Sequence, residues 1–135
     1  MTFRLAPSMT ADTQFFWDGV KAHKLLIQRC TACGTLRHPP RPMCPQCHAL
    51  TWDTVESSGR GTVYSTVIPH HPPLPGFDGP YAVALVDLEE GTRLVTNIVG
   101  IEPGEVAVGM PVEVVYEDFD NDVTLPLFVP QARQA

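Results

Sequence analysis

Four cysteines fall within eighteen residues as two Cys-x-x-Cys pairs, Cys30/Cys33 and Cys44/Cys47, with ten residues between the pairs. Thiolates are soft ligands that zinc prefers, and two such turns deliver two sulfurs each to one tetrahedral site. Four thiolates close the coordination sphere. No position is then left for water or substrate, so the pattern predicts a structural metal, zinc, rather than a Lewis acid. The CxxCG and CPxC turns also hold iron in rubredoxin-type sites, which leaves iron as the competing occupant of the same cage. Disulfide redox chemistry would call for one CxxC beside a βαβ pattern, a context that is absent here. Gly34 lets the first turn fold back toward its sulfurs, and Pro45 stiffens the second. His38 and His48 lie close in sequence but are not needed as ligands; they are expected at the surface or around the site.

A second place for chemistry is the stretch PHHPPLPGFDGP, residues 69–80, with five prolines and two glycines. Long loops in compact domains tend to carry function. Imidazoles titrate near neutrality, so His70 and His71 could act as acid or base. No Ser or Cys nucleophile sits beside them, and no paired His/carboxylate motif exists. A docking surface fits better, with Leu74 and Phe77 making apolar contact and His70, His71 and Asp78 at the rim. A stiffened, solvent-exposed connection is the plainer reading of the same residues. The chain has no G-x-S-x-G, no phosphate-cradling glycine loop and no H-E-x-x-H.

The elements that must position these residues can be read from periodicity. Residues 11–24, ADTQFFWDGVKAHK, predict a helix with Asp12 as N-cap and with Phe16 and Val20 on one face. Three adjacent aromatics, Phe15, Phe16 and Trp17, cannot share one side; the helix is expected to bury them against its own core or against a partner. LLIQR (25–29) reads as a strand entering the first knuckle. Beyond Cys47 the pattern turns to β. GTVYSTVI (61–68) alternates Val63/Ser65/Val67 against Thr62/Tyr64/Thr66, and YAVALVDL (81–88) reads as a mostly buried strand. EEG (89–91) is a hairpin turn, RLVTNIV (93–99) its return, and VEVVYEDF (112–119) a further strand. LPLFVP (125–130) is a last short strand whose Pro126 suits an edge. The fold class is therefore mainly β: a helical segment over 1–26, a rubredoxin-like zinc ribbon over 27–52, and a five-stranded OB-fold barrel over 53–135.

Charge is unevenly shared along the chain. Residues 1–60 carry seven Lys/Arg against four Asp/Glu, and residues 61–135 carry two against eleven. The acidic second half argues against a nucleic-acid backbone as partner, because phosphate contacts need a basic surface. The acids between Glu102 and Asp122 read as a solvated face. No apolar run approaches the roughly 20 residues that span a bilayer, and MTFRLAPSMTADTQFF has no apolar core of signal-peptide type. A soluble cytoplasmic protein, bound to no membrane, is expected. A reducing compartment also favours a metal over disulfides for clustered cysteines.

The combination FFWDGVKAHKLLIQRC, CTACG, HPPRPMCPQC and SGRGTVYSTVI resembles the family of zinc-ribbon OB-fold proteins associated with acyl-CoA metabolism, along essentially the whole chain. The knuckles alone are generic; their union with the preceding FWxG and the following G-x-G-x-V-Y is specific. The resemblance implies a partner rather than a solitary enzyme. Family members accompany thiolase-fold enzymes, among them the lipid-transfer-protein-like aldolases of steroid side-chain degradation. It implies an accessory, non-catalytic subunit or domain that stabilises a thiolase-superfamily protein, with acyl-CoA at the shared interface. Phe16 and Trp17 join His70, His71, Leu74, Phe77 and Asp78 as expected contacts. Phosphate contacts would come from the basic first half (Lys21, Lys24, Arg29, Arg37, Arg41) or from the partner. Two alternatives stay open: a nucleic-acid-binding zinc-ribbon/OB module with Tyr64 and Tyr81 as stacking residues, and a stand-alone acyl-CoA-binding protein or thioesterase using the His pair.

Overall fold

The computed structural model describes residues 4–71, 74–77 and 79–131. Helix α1 spans Gln14–Lys21, shorter at both ends than its periodicity predicts. Asp12 is not the N-cap. Residues Thr10–Thr13 close a turn, with Thr13 N–H donating to Thr10 O at 3.1 Å, and this moves the cap to Thr13. At the other end His23 takes φ 60, and Lys24 N–H donates back to Gly19 O at 2.8 Å, a Schellman-type closure. Gly19 has a packing reason to be small: a Cβ there would lie 2.9 Å from the Leu26 side chain. The helix thus sits directly on the first strand.

That strand, β1 (Leu26–Cys30), is the centre of a three-stranded antiparallel sheet with β2 (Leu36–Arg37) and β3 (Trp52–Glu56) on its flanks. Strand β3 pairs along all of β1, from Leu26↔Glu56 to Cys30↔Trp52, so the ribbon sheet reaches residue 56. Arg29 and Asp53 lock the pair with two hydrogen bonds of 2.8 and 2.7 Å.

Strands β4 (Arg60–Val67), β5 (Ala82–Leu88), β6 (Arg93–Ile98), β7 (Pro111–Phe119) and β8 (Val123–Pro130) form a closed barrel in the order β4-β5-β6-β8-β7. This is the five-stranded OB-fold expected after the ribbon. The one parallel contact, Ile98↔Phe128, closes it. A 3₁₀ turn, Pro103–Glu105, lies within the connection from β6 to β7.

Two local expectations fail for reasons of register. The alternation expected along β4 breaks at Tyr64, where a bulge puts Val63 opposite Val86 and Ser65 opposite Leu85. Val67 consequently ends exposed rather than inside. Pro126 does not lie on an edge, because the barrel has none. It sits where β8 meets β6 only at Phe128, and its carbonyl accepts the Thr96 hydroxyl at 3.0 Å.

The core is continuous across both parts. Phe16 and Val20 of α1, with Leu25 and Ile27 at β1, pack in one cluster with Val63, Val86, Val112 and Phe128 of the barrel. The three adjacent aromatics are shared out accordingly. Phe16 is core, Phe15 packs on Trp52 of β3 with ring centroids 4.8 Å apart, and Trp17 lies edge-on to Phe16 at 4.9 Å. Among the described residues no helix is long and apolar enough to cross a membrane.

Candidate functional site

The two cysteine knuckles share one backbone plan. In the first, Gly34 N–H donates to Cys30 O and Cys30 N–H to Thr35 O, each at 2.9 Å. In the second, His48 N–H donates to Cys44 O and Cys44 N–H to Ala49 O, also at 2.9 Å. Both plans place a left-handed residue after the second cysteine: Gly34 at φ 80 and His48 at φ 65. Glycine adopts that conformation freely, whereas histidine does so at a steric cost.

All four sulfurs lie within 4.8 Å of one another. Cys30 and Cys47 approach to 3.5 Å, Cys33 and Cys44 to 3.6 Å. Zinc–sulfur bonds near 2.3 Å imply tetrahedral S···S edges of about 3.8 Å, so the cage has the dimensions of a four-thiolate metal site. The Cys33 backbone N–H holds the Cys30 thiol below its ordinary range, the Cys47 N–H does so for Cys44, and the Thr35 hydroxyl for Cys33. Cys47 behaves oppositely. The Ala49 N–H pulls it down, but the Cys30 sulfur, burial, and the sulfurs of Cys33 and Cys44 outweigh this and push it up to about 12. Four thiolates this close repel one another, and a bound cation relieves the repulsion. His48 is exposed on the second knuckle. His38 is drawn away from the sulfurs onto the Phe16 ring, 5.1 Å between centroids, and burial lowers its pKa.

The remaining expected contact residues gather along a groove that the sequence did not reveal as one surface. At one end, Phe16 and Trp17 of α1 line a cavity of about 620 Å³ against the outer face of the barrel. At the other end, His71, Leu74 and Phe77 of the proline-rich loop line a cavity of about 420 Å³. Val95, Thr96 and Asn97 of β6 line both, so the two cavities adjoin at that strand. The floor is apolar: Val95 is 69% exposed, with Leu85 and Val83 half-buried beside it on β5. His70 is exposed and outside the lining of both cavities. Asp78 lies outside the described residues. Arg4 braces the loop end, its guanidinium 4.0 Å from the Phe77 ring centroid and its Nη1 donating to Asn97 Oδ1 at 3.0 Å.

The stretch RLVTNIV carried the missed signal. Its period of two places Arg93, Val95 and Asn97 on one face, and a valine on that outward phase marks an apolar floor. The two tyrosines named as stacking residues are engaged within the chain. Tyr64 lies 3.8 Å beneath the Arg93 guanidinium, and Tyr81 stacks on Phe77 at 3.7 Å.

Comparison with known proteins places these parts. Residues 17–53 match the model of the ChsH2 rubredoxin-like zinc ribbon domain, and residues 54–117 that of the ChsH2 C-terminal OB-fold domain. A probable enoyl-CoA hydratase alpha subunit of Thermomonospora curvata is 52% identical over 131 residues, covering 97% of this chain and 41% of the relative. A 3-oxo-4,17-pregnadiene-20-carboxyl-CoA hydratase alpha subunit of Mycobacterium tuberculosis is 52% identical over 117 residues, covering 87% and 37%. The chain thus spans about two fifths of the length of these two relatives. A DUF35 domain-containing scaffold protein of Methanocaldococcus jannaschii is 37% identical over 110 residues, covering 78% of this chain and 77% of the relative. Among solved structures, a chain of an Ltp2-ChsH2(DUF35) aldolase superposes with a TM-score of 0.88 at 53% identity, covering 92% of this chain and 98% of that one.

Proposed function

The chain belongs to the DUF35 family of ChsH2-type zinc-ribbon and OB-fold proteins, and from that premise we propose that it is a non-catalytic partner subunit or domain of a steroid-CoA-processing enzyme. Its partner in this reading is a thiolase-superfamily chain of the Ltp2 type that acts on acyl-CoA. The apolar groove over β6 docks that partner and helps shape its acyl-CoA site. Support comes from the names of the similar proteins, a hydratase alpha subunit and an Ltp2-ChsH2(DUF35) aldolase. The observation that carries the reading is the groove itself. Val95 stands 69% exposed on a rigid barrel strand, and expected contact residues flank it at both ends. An isolated apolar side chain is ordinary, but an apolar floor with aromatic walls marks an interaction surface.

The metal's part in this reading is architectural. Cys30, Cys33, Cys44 and Cys47 hold zinc, which supplies cross-linking and no reactive position. Cys30 ends β1, on which α1 rests, so the cage fixes the wall from which Trp17 faces the groove. Co-expression with an Ltp2-type chain tests the assignment. The two are expected to co-elute on size exclusion, with the partner more soluble than when expressed alone. A chain that stays monomeric and leaves the partner's solubility and activity unchanged overturns it.

A further inference from the structure

Most cations of the described chain are already answered. Lys21, Arg29, Arg60 and Arg93 each lie within 3.3 Å of a carboxylate oxygen, and Arg4 is held by Asn97 and aromatic rings. Arg37 and Arg41 have no carboxylate partner among the described residues. They line one pocket of about 630 Å³, between the ribbon and the β5–β6 turn, with Thr92, Arg93 and Asp87 across from them.

Two residues of this pocket carry orphaned polar atoms. Arg37 is 6% exposed, and its Nη1 is buried with no hydrogen-bond partner; Thr92 is 9% exposed, and its hydroxyl is likewise unpartnered. Buried donors without acceptors are costly, and two on lining residues of one pocket favour an acceptor supplied from outside. The pocket is also preorganised. Arg37 donates through Nε and Nη2 to Arg41 O at 3.1 and 2.8 Å, while Gln28, 1% exposed, accepts the Arg41 N–H at 2.9 Å. Two buried side chains therefore grip both sides of one residue, in a loop stiffened by Pro39, Pro40 and Pro42. The exposed Arg41 guanidinium is thereby presented at the pocket at low entropic cost.

We propose that this pocket is a phosphate-binding site in which Arg37, Arg41 and the Thr92 hydroxyl receive a dianionic phosphate group. Arg93 and Asp87 pair and cancel, leaving the charges of Arg37 and Arg41 uncompensated. Fork-shaped guanidinium donors and a hydroxyl match phosphate oxygens, which carry close to two negative charges near neutral pH. The pocket shares His38, Pro39 and Arg93 with the apolar groove, so a phosphomonoester could rest its body there. The site stands independently of the partner reading.

The test is an NMR titration of the full chain with inorganic phosphate at constant ionic strength, with acetate and phenyl phosphate as parallel arms. Saturable shifts are expected at Thr92 and in the loop around Arg41, with acetate weaker than phosphate. Arg41→Gln and Thr92→Val should each keep the fold and weaken phosphate binding, the former about tenfold or more, as expected for loss of charge-assisted hydrogen bonds. Lys21→Gln, outside the pocket lining and paired with Asp122, should bind as wild type. Tighter binding of phenyl phosphate assigns the site to a phosphomonoester, and equal binding to the free ion; either supports it. Absence of saturable shifts, acetate binding as well as phosphate, or undiminished binding by both pocket variants overturns it.

Discussion

The two ends of the groove are made differently. At the helix end, Phe16 is 5% exposed and belongs to the same apolar cluster as the barrel interior, so its position is tied to the global fold. The loop end is hung from outside. Leu74 is 46% exposed, and Phe77 is sandwiched between Tyr81 at 3.7 Å and the Arg4 guanidinium at 4.0 Å. Arg4 is itself anchored by Asn121 Nδ2, which donates to its carbonyl at 2.7 Å. One wall therefore inherits the rigidity of the core and the cage, and the other rests on a few surface contacts. In the proposed docking, the rigid wall would fix orientation and the loop would adjust.

Removing the metal is the strongest way to break this asymmetry. Cys44→Ser, or a high-affinity zinc chelator, is expected to destabilise the ribbon by at least about 5 kcal/mol, because metal binding in such small cages is folding energy. Hydrogen exchange should rise across β1, β2, β3 and α1, while β4–β8 stay protected. Uniform protection after metal removal would show that the core alone holds the helix wall. Metal analysis of the untreated protein should return zinc in proportion to chain.

Arg4→Ala attacks the opposite wall and should do much less. Loss of a partly exposed cation–π contact costs about 1 kcal/mol. Exchange and side-chain motion should increase around Leu74, Phe77 and Tyr81, with no change at the ribbon. Equal loosening at both walls would remove the distinction drawn between them.

What the sequence disclosed follows from which features are local. The cysteine spacing specifies its chemistry by itself, because each knuckle closes within a few residues. Strand alternation disclosed β5 and β6, where inside and outside faces keep a strict period. Val67 departs from the alternation of β4 because a bulge depends on what the partner strand offers opposite it. Gln28 and Arg37 lie in short strands with ordinary polar spacing; only the path of the 38–43 loop shows that they are buried and grip Arg41. The groove was invisible for a related reason. Phe16, Val95 and Leu74 are far apart in sequence, and closing the barrel beneath α1 brings them onto one face.

Whether this face docks a partner can be read from the affinity of Val95→Glu for an Ltp2-type chain. Val95 is 69% exposed, so the variant should fold and melt like wild type. A charge at the centre of a desolvated apolar contact should weaken the complex about thirtyfold or more. Val95→Glu binding with unchanged affinity would contradict the account.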